Sequence, residues 1–427
     1  VAAILGVSIA GTTLACRGDA TPAITLAAPV AASVPTGVGT APVIALSPRG
    51  HRAVAWVSAP DSGTDGRLYI SIDGASPVEL RDSLGPIEAH GEAPPKLAYD
   101  TAGVLHALYV VGKVVPGRRF PLSALRHVSS HDGGKQWSAP ASVTDADVFG
   151  SYNFHALHAA ANGVLIAAWL DGRAGKSATF MTRSTDGGVT WSPNMRVDSA
   201  ESCPCCRTAI ATDGTGHVYL AWRTVLPGNV RDIVVAHSGD NGATFDAPVR
   251  VHADEWQFDA CPHAGPSMQV DASGTLHVTW WTGKDGVAGV YYAQSNTHAS
   301  TFSTPIPMGV AQFSKPAHAQ LALGDSGAVA VVWDDGTLET PAVTLRLSRD
   351  HGASFGPAVV VSAPDRAAAF PMVSMFGKQL TVVWSEQSRE AATHAEHNRP
   401  NMKDPKATMG LSPVGASVVV MRQGTWQ

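Results

Sequence analysis

The chain has 427 residues and a formal net charge of −5, with 15% charged and 44% hydrophobic residues, 42 Gly and 29 Pro. This composition excludes a disordered chain, and the lack of a basic stripe or long charge run excludes nucleic acid as a partner. Length alone suggests about two or three domains, but a repeat that runs through most of the sequence takes precedence over length.

The first element is an uncharged stretch, Val1 to Ala15, which ends Thr13-Leu14-Ala15-Cys16. It is too short to span a bilayer and reads as an export signal. Its end resembles the lipobox of bacterial lipoproteins, with Thr13 in place of the usual Leu, and that implies cleavage before Cys16 and acylation of Cys16. The alternative is an ordinary secretory signal with a coincidental cysteine. The expected organisation is a signal over residues 1–16, a tether over 17–22 and a single domain over 23–427. Such a protein is exported to the periplasm or cell envelope and meets the membrane only through its N-terminal lipid anchor.

Further along, an alternating apolar strand ending in an aromatic residue recurs seven times: at Trp56, Tyr109, Trp169, Trp222, Trp280, Trp333 and Trp384. After four of these comes the pattern S-x-D-x-G-x-x-[WF], at Ser130–Trp137, Ser184–Trp191, Ser238–Phe245 and Ser348–Phe355. In each copy the carboxylate of Asp132, Asp186, Asp240 or Asp350 can accept backbone N–H bonds in a tight turn, and the aromatic ring packs the turn onto its own hairpin. Ser71–Gly74 and Ser295–Phe302 are remnants, and the last repeat has none. The pattern resembles the Asp-box of sialidases and their β-propeller relatives, which implies a structural role for the four aspartates. Four-stranded blades of roughly fifty residues follow from the spacing. The fold expected is an all-β, seven-bladed propeller, with a six-bladed ring, as in sialidases, the alternative. Blade four illustrates the reading, with strands at Thr208–Thr212, up to Trp222, Ile233–His237 and Val249–His252. Ala23–Val30 resembles the outer strand missing after Ala416–Met421, so the N-terminal strand is expected to close the last blade.

In this strand order the loops entering the inner strands share one face with those following the aromatic-ended strands, and the Asp-boxes turn on the other. Convergent side chains belong on the first face. Cys203-Pro204-Cys205-Cys206 enters blade four, and Cys261-Pro262-His263 enters blade five in the same register. Thiolates with an imidazole suit copper or zinc. The competing reading is two disulfides, for instance Cys203 with Cys261, which leaves the adjacent Cys205 and Cys206 as a strained pair or as free thiols. Adjacent cysteines rarely reach one tetrahedral ion together. The same loop set holds Asn153, His155, His158, Lys284, Asp285, His318, Asp334, Asp335, Glu386, His394, His397 and Met402.

The sialidase resemblance also implies a catalytic set: three arginines, a tyrosine activated by a glutamate, and an aspartate. The candidates here are Tyr152, Asp171, Arg173, Arg207 and Arg223, with no glutamate evidently paired to Tyr152, and Arg118-Arg119-Phe120-Pro121 falls in the wrong loop for the arginine motif. Two functions therefore stand: a propeller that binds a small ligand, glycan or metal ion through a Cys/His-lined funnel, and an exo-α-sialidase-like glycoside hydrolase acting on acidic sugars.

Overall fold

In the computed structural model, which describes residues 24–33, 36–59, 65–310, 317–338, 340–392 and 416–426, the strands gather into seven antiparallel sheets. The signal, the tether, Cys16, His394, His397 and Met402 lie outside the described residues. Consecutive strands pair within each sheet, so the blades number seven and not six. Blade four has its inner strand at Ala209–Thr212, followed by Val218–Val225, Ile233–Ser238 and Val249–Arg250. The second strand is the most buried of these because it lies inside its own sheet and faces a neighbouring blade on either side.

The seventh sheet joins the two ends of the chain. Arg366–Phe376, Gln379–Ser388 and Val418–Trp426 come from the C-terminal end, and Ile24–Leu26 supplies the outer strand in the register Ile24↔Trp426, Leu26↔Gly424. A paired strand on the last blade removes an open edge that would otherwise invite aggregation.

The core is a set of wedges between neighbouring blades. Trp169 packs with Leu108 and Val110 between blades two and three, Trp222 with Ala156 and Ile166 between three and four, and Trp280 with Ala221 and Val235 between four and five. Trp56 with Val383 and Val419 joins blade one to blade seven, which closes the ring with apolar contact as well as hydrogen bonds. No helix among the described residues is long and apolar enough to cross a membrane.

The Asp-boxes join third strands to outer strands and repeat one geometry. In blade four Ser238 Oγ donates to Asp240 Oδ1 at 2.7 Å, Gly242 N–H donates to Ser238 Oγ at 2.9 Å, and Thr244 N–H donates to Asp240 Oδ1 at 2.9 Å. Blade six matches with Ser348, Asp350 and Gly352. Hydroxyl and amide donors, that of Thr190 first, hold the Asp186 carboxyl down at about 2, so the turn keeps its charge at neutral pH. Gly352 is fixed by space and backbone alike: its φ is +81° and an added Cβ would lie 1.9 Å from the Tyr292 hydroxyl.

The blade-five remnant turns out to be an intact box with different chemistry. Ala299 N–H donates to Ser295 Oγ at 3.1 Å and Thr301 N–H donates to Thr297 Oγ1 at 3.0 Å, so a threonine hydroxyl replaces the carboxylate. Ala299 takes the glycine place with φ 62°.

Candidate functional site

The face opposite the Asp-boxes gathers the cysteines. Glu201–Ser202 pairs with the end of the second strand of blade four, which carries the chain over the top of that blade before it turns at Pro204. The Cys203 N–H donates to Arg223 O at 2.8 Å and fixes the start of this turn. Cys203, Cys205 and Cys206 are buried, and Cys203 Sγ lies 3.7 Å from Cys205 Sγ and 3.7 Å from Cys206 Sγ. All three sulfurs fall within 4.8 Å of one another. The adjacency of Cys205 and Cys206 suggests that they diverge, but the turn curls both back onto Cys203. Cys261, exposed at the entry to blade five, lies outside the three-sulfur group, and its neighbour Cys205 draws its thiol below the ordinary range. All four are free thiols.

Two guanidinium groups set the electrostatics. Arg231 Nη1 donates to Cys203 Sγ at 3.0 Å. Arg223, almost fully buried, donates to the carbonyls of Ala264, Arg231 and Trp281 and stacks on Trp256. Among the described residues neither arginine has a carboxylate within 4.0 Å, and a buried cation needs an anion close by. The sulfurs supply it. Hydrogen bonds from the Cys205 and Cys206 thiols, helped by the two arginines, pull Cys203 far below the ordinary thiol range. Cys205 is pushed up by its sulfur neighbours and Cys206 by burial, so Cys203 is the thiol of the three that ionises most readily.

Ala93, Phe154 and Leu170 pack against the cysteines. His263 does not join the three-sulfur group; its ring lies 6.1 Å from that of Phe154 and 5.6 Å from that of His90. Its φ of 51° is left-handed, as are those of Ala41, Phe154 and Phe370, which occupy the tops of the inner strands of blades one, three and seven.

A second cluster occupies the axis. Glu92, wholly buried at the entry to blade two, accepts the Arg207 side chain through Oε2, Arg207 N–H at 3.1 Å and Gly265 N–H at 2.6 Å. One carboxylate thereby ties blades two, four and five. His318 Nε2 stands 4.0 Å from Glu92, and its Nδ1 meets Asp334 Oδ2 at 2.5 Å. Asp334 Oδ2 also accepts Phe370 N–H at 3.0 Å, which brings in blade seven. Lys96, half-buried on the inner strand of blade two, is brought down to about 7 by burial first and by the Arg207 charge second.

Burial opposes the charge on His318, yet Asp334 outweighs it and the imidazole pKa is raised; Asp334, also opposed by burial, is lowered mainly by His318. A raised histidine stabilises fully below its unfolded value of about 6.5 and loses that contribution as pH rises through its folded value. A lowered aspartate stabilises fully above about 3.9 and loses it as pH falls through its folded value. Stability from this pair is therefore greatest between about 4 and 6.5. Replacing His318 with Gln should flatten the alkaline side of a urea-denaturation profile taken against pH; an unchanged slope would refute the assignment.

The remaining candidates are held by structural contacts. Tyr152, 2% exposed, opens the inner strand of blade three, and its hydroxyl donates to Asp147 O at 3.0 Å; burial raises its pKa. Asp171 is buried rather than in an exposed turn and accepts Trp169 Nε1 at 2.9 Å and Arg173 Nε at 2.9 Å. Arg173 also reaches Asp145 and Asn194. His155 Nε2 meets Leu108 O at 3.3 Å, and His158 Nε2 meets Thr212 Oγ1 at 3.0 Å. Glu386 accepts Trp384 Nε1 at 3.0 Å within its own blade. Sequence reasoning missed Glu92. It stands seventeen residues before Tyr109, as Cys205 does before Trp222 and His263 before Trp280, so the register that relates the two cysteine loops also reaches it.

Residues 86–257 match the BNR repeat-like domain family, and no curated protein matches the chain. A protein of unknown function from Dyadobacter fermentans DSM 18053 is similar in structure, with 13% identity and a TM-score of 0.51 over 95% of this chain and 100% of that one. An ulvan lyase solved bound to GlcA(1-4)Rha3S has 14% identity and a TM-score of 0.50, over 84% of this chain and 91% of that one. The polysaccharide lyase Uly1 has 12% identity and a TM-score of 0.52, over 88% of each chain. At these identities the likeness is one of fold.

Proposed function

We propose that this BNR-repeat propeller binds one soft metal ion, zinc or copper(I), through Cys203, Cys205 and Cys206, with Cys261 as the fourth ligand. The observation that carries this reading is the sulfur spacing. Two thiolates on one tetrahedral zinc, each bonded at about 2.3 Å, are about 3.8 Å apart. Cys203 Sγ lies 3.7 Å from both of its neighbours. A disulfide holds its sulfurs at about 2.05 Å. Arg231 and Arg223 support the reading further, because a metal–thiolate cluster is anionic and supplies the charge these two cations lack. His263, beside His90 and Phe154, shares the wall of the centre.

Binding is favoured over glycoside hydrolysis by the surroundings of Tyr152. Its phenol is buried, donates to a backbone carbonyl and is raised in pKa, the reverse of what a nucleophile needs. On the lipobox resemblance the propeller is exported and anchored through Cys16, and Cys16→Ala should release it from the membrane fraction; retention there would refute the anchor.

Elemental analysis of the full chain purified from the periplasm should find about one zinc or copper ion more per molecule than in Cys203→Ser. Protein in which the four cysteines of the propeller form disulfides would overturn the proposal, as would a Cys203→Ser variant with the same metal content as the native chain.

A further inference from the structure

On the Asp-box face three imidazoles meet at the joint between blades four and five. His217 precedes the second strand of blade four, His237 lies near the end of its third strand, and His298 sits in the threonine-bearing box of blade five. The ring centroids are 4.3 Å apart for His217 and His298, 5.0 Å for His217 and His237, and 5.3 Å for His237 and His298. One ring nitrogen from each residue lies within 4.8 Å of the other two.

Two of the three rings are oriented from behind. His237 Nδ1 meets Asp246 Oδ2 at 2.9 Å, which turns its Nε2 onto His217, and His298 Nδ1 meets the Tyr219 hydroxyl at 2.9 Å, which leaves its Nε2 for another partner. This is how histidine ligands are commonly held, since an outer carboxylate or hydroxyl selects the tautomer and fixes the ring. The backbone fixes His298 as well. His298 has φ 51°, and the equivalent Asn241 and His351 of the neighbouring boxes are left-handed too, so the turn itself sets the direction of the His298 Cβ.

We propose that His217, His237 and His298 form a second metal site, for a divalent cation that prefers imidazole, namely zinc, nickel or copper(II), with water completing the shell. Three neutral imidazoles suit these ions and suit magnesium or calcium poorly. His217 Nδ1 and His237 Nε2 are 2.8 Å apart and share a hydrogen bond. Two nitrogens on one tetrahedral ion stand about 3.3 Å apart, and the rings lie stacked, 14° to 30° from parallel, so the ion replaces that bond only when the rings swing out of the stack and their nitrogen lone pairs converge. The site needs no sulfur and lies on the opposite face, so it stands or falls separately from the cysteine centre.

Equilibrium dialysis of the full chain against zinc chloride, followed by elemental analysis, tests the site. His298→Ala should bind about one ion fewer than the native chain, and Asp246→Asn, which keeps every ligand, should weaken that ion by about 10–100-fold. The Asp246 side chain is 76% exposed, so the second variant tests the site with the fold undisturbed. Thiol alkylation measured in parallel reports on the cysteine centre and should be the same in both variants and the native chain. Equal zinc content and equal affinity in the native chain and both variants would overturn the proposal.

Discussion

Glu92→Gln is expected to lower the unfolding free energy by about 3–5 kcal/mol, read from the urea midpoint, because it leaves the Arg207 guanidinium buried without its anion. The carboxylate is wholly buried and holds Arg207 through side chain and backbone as well as Gly265 N–H, so its charge is used on three sides. Glutamine keeps the shape and one acceptor oxygen, which makes charge the quantity removed. The double variant Glu92→Gln with Arg207→Met should recover much of the loss, since removing both members of a buried pair costs far less than removing one. A loss below about 1 kcal/mol for the single change would mean that water reaches the pair and that the axis is not closed by it.

Trp384→Ala should cost about 3–5 kcal/mol, the range for emptying a fully buried aromatic site. Trp384 is 0% exposed and packs between blades six and seven with Val332, Leu345 and Val420. Its indole N–H also satisfies Glu386 Oε2, whose other oxygen pairs with Arg366. The change therefore opens a cavity and removes one donor from a buried carboxylate. Hydrogen exchange at Val419 and Val420 should accelerate with the loss of stability; unchanged exchange there would show that the blade closes without this wedge.

The architecture was legible because its signals repeat. Six tryptophans and Tyr109 at one register, with four boxes, mark the blades, and even the closing strand shows as an orphan apolar run before the first repeat. Blade five was harder to read because the box pattern asks for a carboxylate, whereas the turn asks only for an acceptor at that place and Thr297 provides one. The site was legible in part. The cysteine loops stand out by composition, but the convergence of Cys205 and Cys206 on Cys203 depends on the turn at Pro204, which spacing does not specify. Glu92 and the three histidines were missed for a different reason: each is ordinary in its own segment, and only the packing of separate blades gives it partners.

The pairing of Ile24 with Trp426 sets the order in which the molecule can be made. The strand Ile24–Leu26 is made before the blades and waits for a partner at their far end. Until the C-terminal strand arrives, Trp56 and Val54 of blade one lack Val383 and Val419, and the growing chain presents that apolar face to its surroundings. Contacts so distant in sequence form slowly. The strand Val418–Trp426 is thus the latch of the ring, and a chain that lacks it is left with two open flanks.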